Sequence, residues 1–214
     1  MLIHHVLGVF VGGLVLSGVN VANTSQSSMT AISIAGIWQS ERCDVQERNG
    51  RQTSSTSVFV FLNGEWALEF TQYSDAACTT PALRAFFHGR YRITERSSAV
   101  AGAYHANFGF SMKRLTLYDE GLLAQANRGG CGTRTWTRGR EEDVSSTGCL
   151  WVVPVSACRE EFDLVKLEGE RLLLGERPAA GTDLCHADRR ARALRSLPLV
   201  RRVRATDANT SRRP

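Results

Sequence analysis

Lysine is almost absent from this chain. It occurs only at Lys113 and Lys166, so nearly all the positive charge is arginine. A GC-rich coding sequence produces that bias as readily as any function does. Also missing is an apolar run of the roughly 18 residues that a membrane-spanning helix needs, apart from a marginal stretch at the N-terminus. The six cysteines form no C-x-x-C pair, which removes the usual ligand spacing of a zinc site. Nucleophile-elbow, zinc-protease and phosphate-loop patterns are absent as well. No catalytic constellation emerges, so the chain is expected to be no enzyme and to use no metal or cofactor.

What is present reads as one domain with distinct ends. The 214 residues fit a single domain or a domain plus tails. A hydrophobic content of 43% with 22% charged residues excludes general disorder. Residues 1–22 resemble an export signal, because Val6 to Leu16 is apolar and broken only by glycines. The alternative is a misassigned start, with Met29 as the first residue. The net charge is +5, but His186 to Pro214 holds nine arginines against Asp188 and Asp207, a net +7. Residues 1–185 therefore carry −2. Residues 186–214 are expected to be a flexible, solvated tail with at most weak contact to an acidic surface. They lack the interleaved aromatics of single-strand nucleic-acid binders, so no nucleic acid is expected.

Between the ends the pattern is all-β. Val58 to Leu62 is β-rich, and Asn63-Gly64 is the strongest short-range hairpin signal. In Glu65 to Tyr73, Trp66, Leu68 and Phe70 share a face. Arg84 to Ile93 alternates too, with Phe87 and Tyr91 on one side. Tyr104, Ala106, Phe108, Phe110 and Met112 alternate at period two, which a helix cannot place on one stripe. Leu115 and Leu117 continue a strand. Asp119 to Asn127 predicts one short capped helix, stopped at Gly129-Gly130. Glu141-Glu142-Asp143 reads as a solvated turn. Strands are expected again near Trp136, at Leu150 to Val153, and as a hairpin from Phe162 to Leu174 turning at Glu168-Gly169-Glu170. The fold class is therefore all-β: an antiparallel, barrel-like or half-barrel sheet with one short helix, stapled by disulfides.

Cys43, Cys78, Cys131, Cys149, Cys158 and Cys185 are an even number on a chain with an export-like start. That favours disulfides and a secreted, periplasmic or extracellular location. The residues alone leave 15 pairings open. A cysteine nucleophile would need His88 or His105 beside it, and structural bridges are the simpler reading.

A longer pattern is more specific. Gly36-Ile37-Trp38-Gln39-Ser40-Glu41-Arg42-Cys43-Asp44 opens it, and Tyr73-Ser74-Asp75-Ala76-Ala77-Cys78-Thr79-Thr80-Pro81 follows. Then come Gly89-Arg90-Tyr91, Ser98 to Gly102, Cys131-Gly132, Trp136 with Gly139, and Asp143 to Cys149. Glu161 to Glu168 and Gly175-Glu176-Arg177-Pro178 close it. In order and spacing, residues 35–180 resemble the adenomatosis polyposis coli down-regulated (Drapolin) domain of extracellular Wnt inhibitors. The resemblance implies a barrel-like domain with an apolar cavity able to hold an acyl chain, and no catalysis. Within the family pattern Cys43 pairs with Cys78 and Cys131 with Cys149, which leaves Cys158 for Cys185.

Together these readings point to an exported binding module for a lipid or an acylated, Wnt-like protein. Its ligand site would be lined by Trp66, Phe70, Tyr91, Tyr104, Phe108 and Phe110. Each of these aromatics could equally fill a core, since an eight-stranded barrel either packs its interior or holds one ligand. The alternative is therefore an extracytoplasmic structural or interaction protein with a filled core.

Overall fold

The computed structural model describes residues 32–48, 51–129, 131–132, 135–177 and 183–202. The export-like segment 1–22 and residues 203–214 lie outside them. The strands are β1 (Gly36–Ser40), β2 (Asp44–Arg48), β3 (Arg51–Leu62), β4 (Glu65–Tyr73), β5 (Pro81–Arg96), β6 (Tyr104–Gly109), β7 (Met112–Leu117), β8 (Glu141–Asp143), β9 (Glu160–Glu168), β10 (Arg171–Leu174) and β11 (Leu199–Arg201). One helix, α1 (Glu120–Arg128), stands between β7 and β8.

Every strand pair is antiparallel. Running β3-β1-β11-β10-β9-β6-β5-β4 and back to β3, eight strands close into a barrel. Closure leaves these strands no free edge. β2 extends the sheet along the first half of β3, and β7 and β8 extend it along the first half of β5.

The β3–β4 hairpin shows how sequence sets this register. Asn63 and Gly64 both take positive φ, 53° and 78°, as a two-residue turn with the twist of the strands requires. Leu62 then pairs with Glu65, Phe61 with Trp66 and Phe59 with Leu68. The pairs Phe61–Trp66 and Phe59–Leu68 share the inner face, where they bury with Trp38, Tyr104, Ala106, Phe108, Val165, Leu172 and Leu199, while Leu62 and Glu65 face solvent.

The alternation from Tyr104 to Met112 is broken where one continuous strand was expected. Tyr91 pairs with Phe108, but His88 pairs with Met112. Gly89 and Arg90 thus face three residues, Gly109, Phe110 and Ser111, which is a bulge. One extra residue reverses the faces. Before it, Tyr104, Ala106 and Phe108 point inward; after it, Lys113, Leu115 and Leu117 do, and all are buried.

The helix begins as its sequence predicts. The Asp119 side chain accepts from the Leu122 N–H at 2.9 Å, and Leu123 and Ala126 are buried beneath. Glu141–Asp143 is strand rather than turn, because it pairs with Arg114–Thr116 of β7. Trp136 lies in no strand. It is buried, its indole N–H donating to the Cys131 carbonyl and its main-chain N–H to Asn127 Oδ1. Leu150–Val153 forms only a single bridge, Cys149 to Val152.

The disulfides are Cys43–Cys78, Cys131–Cys149 and Cys158–Cys185. Three such bridges belong to an oxidising environment.

The expectation of a free tail from residue 186 is corrected. Residues 199–201 are a barrel strand, joining β1 to β10, so the domain runs past 180. On the way, Arg190 donates to the carbonyls of Ala106 and Asp163 at 2.9 and 2.8 Å and to Asn107 Oδ1 at 2.8 Å. Arg195 meets the buried Asp44 at 2.8 Å. The arginines here answer carbonyls and carboxylates of the barrel, which composition alone does not reveal.

Candidate functional site

The aromatic side chains of β3, β4, β5 and β6 meet as a connected row. At one end Tyr91 packs edge-on to Phe61, ring centres 5.1 Å apart. Phe61 touches Phe108 at 5.9 Å, and Phe108 touches Trp66 at 5.0 Å. Trp66 leads to Phe110 at 5.5 Å, and Phe110 to Phe87 at 5.9 Å. Phe87 then meets Trp151 at 6.2 Å, and Trp151 meets Phe70 at 5.9 Å. Such separations are those of favourable tilted and edge-to-face pairs.

Five of the six sequence-predicted residues belong to this row: Trp66, Phe70, Tyr91, Phe108 and Phe110. The sixth, Tyr104, is buried on the same face of β6 as Phe108, but its ring is covered by the Arg96 guanidinium at 5.2 Å. Trp66 and Phe108 are buried, while Phe70, Tyr91 and Phe110 are half-buried. Burial raises the Tyr91 phenol above its ordinary pKa. The row reaches solvent at Trp151, which is 51% exposed beside the 45% exposed Val153. The rings rest on one another, so as they stand they occupy the space that they line.

Four participants were not picked out as site residues: Phe61, Phe87, Trp151 and Lys113. Phe61 was available from the turn, since Asn63-Gly64 sets it opposite Trp66. Phe87 shares a face of its alternating stretch with Tyr91, which places it on the row's side of the strand. Trp151 follows the Asp143–Cys149 motif and is carried by the loop that the Cys131–Cys149 bridge ties down. Lys113 points inward only because of the bulge. Its ammonium sits over the Phe110 ring at 4.1 Å and donates to the carbonyls of Val153 at 3.0 Å and Cys158 at 3.4 Å.

Two motifs serve as supports. In the Tyr73–Pro81 stretch, Asp75 accepts from the N–H groups of Thr79 and Thr80, and these bonds hold its pKa below the usual carboxylate range. This closes the β4–β5 turn at Cys78. In the Asp143–Cys149 stretch, Ser145 Oγ accepts from the Lys113 N–H at 2.9 Å and so fixes the start of β7.

The pocket at the β1–β11 end has a different character. It measures about 20 Å³ and is lined by Ser40, Asp44, Ser57 and Arg195 among others. That volume suits one water rather than an acyl chain.

A family model described as adenomatosis polyposis coli down-regulated 1 matches residues 15–179. The chain belongs to this family. For this member of the down-regulated 1 family, the match takes in β1 to β10 and every residue of the aromatic row. It ends before Cys185, Arg190 and β11, so the strand that completes the barrel lies beyond the matched region. Comparison with curated proteins returns no match.

Proposed function

We propose that the protein is an exported, non-catalytic binding module that receives the acyl chain of a lipid or of a lipid-modified protein along its aromatic row. The observation that carries this reading is the continuity of the row from the barrel interior to Trp151 at the surface. A ring half open to water at the end of a buried aromatic series is a place where an apolar chain is stabilised by leaving water. Each buried methylene contributes about 0.8 kcal/mol, so a ten-carbon chain supplies several kcal/mol after the costs of association. Because the rings touch one another, entry begins with displacement of the exposed Trp151 and the half-buried Phe70 and Phe110. Family membership and the three disulfides support the exported setting.

A second reading, a structural or interaction domain with a filled core, is favoured by one observation. Phe108 and Trp66 are only 2% and 3% exposed and pack ring to ring. Native mass spectrometry of the purified protein separates the two. The binding module carries a mass of a few hundred daltons that is lost on denaturation, whereas the filled domain has the mass of its chain alone.

A further inference from the structure

In a chain that uses lysine twice among 26 basic residues, one of the two is 3% exposed inside the aromatic row. Lys166 is half-buried and paired with the exposed Glu168 at 2.7 Å. Lys113 has a different environment. An ammonium has three N–H donors. Two of them go to the carbonyls of Val153 and Cys158, and the third side faces the Phe110 ring. None of these partners is a carboxylate. Glu161 supports the charge from farther away, but its two oxygens are taken by Arg177 at 2.6 and 2.7 Å. A buried cation with only carbonyl and ring partners has given up more hydration than it recovers. An arriving anion is therefore stabilised beside it. The cation–π contact with Phe110 is the weakest of its three interactions and the one a ligand oxygen replaces at least cost.

We propose that Lys113 anchors the carboxylate of a free fatty acid, whose chain lies along Phe87, Trp151 and Phe70, so that the site selects the acid over its ester. This rests on the acyl-binding reading above and narrows it. An acyl group esterified to a protein or to glycerol has no carboxylate to offer, while a free fatty acid has both the chain and the charge. Burial draws the Lys113 pKa below its ordinary value, and a carboxylate beside it restores the charged form. The lysine is placed for this by the bulge at Gly109–Ser111. With regular pairing, Met112 would take the inward position and Lys113 would face outward.

The experiment uses the full chain, cis-parinaric acid, and its methyl ester, with Lys113→Met as the variant. Wild type is expected to bind the acid about tenfold more tightly than the ester, the weight of one charge-assisted hydrogen bond. Lys113→Met should bind both alike, at the affinity wild type shows for the ester. Equal affinity of wild type for acid and ester overturns the anchor and leaves the acyl-binding reading standing. Binding of neither probe by wild type removes the acyl-binding reading, and the anchor with it. Should Lys113→Met fail to fold, Lys113→Gln, which keeps an N–H donor for the carbonyls of Val153 and Cys158 but no charge, takes its place and should likewise bind acid and ester alike. A purely structural lysine would change the stability of the variant but would create no preference in wild type.

Discussion

The carbonyl oxygen of Gly109 occupies the place where a side chain of Gly89 would stand. A Cβ built on Gly89 overlaps it. That same oxygen accepts the indole N–H of Trp66 at 2.8 Å, so the bulge and the first tryptophan of the aromatic row are held at one point. Gly89 is thus required by close approach of two backbones rather than by a turn.

Gly89→Ala forces the bulge apart. It should destabilise the domain by about 3 kcal/mol, at the upper end for overpacking, because a main-chain atom cannot rotate away as a side chain can. Urea unfolding read by tryptophan emission measures it. A change within about 0.5 kcal/mol, as at ordinary surface positions, would show that the bulge is free to relax.

Removal of the C-terminal segment is the next test. A chain ending at His186 keeps all three disulfides but loses Arg190, Arg195 and β11, the strand between β1 and β10. The barrel then has two open edges, and its melting temperature should fall by more than about 5 °C. An unchanged melting temperature would mean that β11 adds nothing to closure.

The buried Asp163 makes stability depend on pH. Its Oδ1 accepts from the N–H groups of Leu164 and Gly175, yet burial pushes its pKa up to about 6 from an ordinary 3.8. The folded state therefore holds this proton more tightly than the unfolded state does. Stability from this group is full below pH 3.8, declines as pH rises, and is lost above about 6. The difference approaches about 3 kcal/mol. Asp163→Asn accepts the same two hydrogen bonds and does not titrate. Between pH 4.5 and 7 the wild type should therefore lose more stability than the variant, by up to about 3 kcal/mol. Equal pH dependence in both would show that Asp163 titrates normally.

Much of this architecture is legible in the sequence where local chemistry and pattern agree. Asn63-Gly64 dictates its turn, the turn dictates the pairing of Phe61 with Trp66, and Asp119 caps α1. The short hairpin at Gly169 follows the same logic, with β9 and β10 meeting at Glu168 and Arg171. What escaped was non-local. The run from Tyr104 to Met112 alternates without interruption, so Gly109 within it, a strand glycine of the kind that accompanies bulges, does not stand out. Its counterpart is Gly89 on the partner strand, whose reason is the carbonyl of Gly109. Leu199–Arg201 is three residues within an arginine-rich stretch, and its strand character comes only from the gap between β1 and β10. The aromatic row was legible as a face but not as a path. Trp151 joins it from a loop whose position is set by β7, Ser145 and a disulfide.

An acyl chain that enters at Trp151 and lies along the aromatic row would bring the bromines of dibromostearate against tryptophan. Bromine quenches tryptophan emission only at close range. Wild type should lose emission saturably on titration, and Trp151→Phe should retain the buried core while losing the larger part of that quenching. Emission that stays unchanged in wild type up to the solubility limit of dibromostearate would rule out an acyl chain in the row and leave a barrel whose rings are its core.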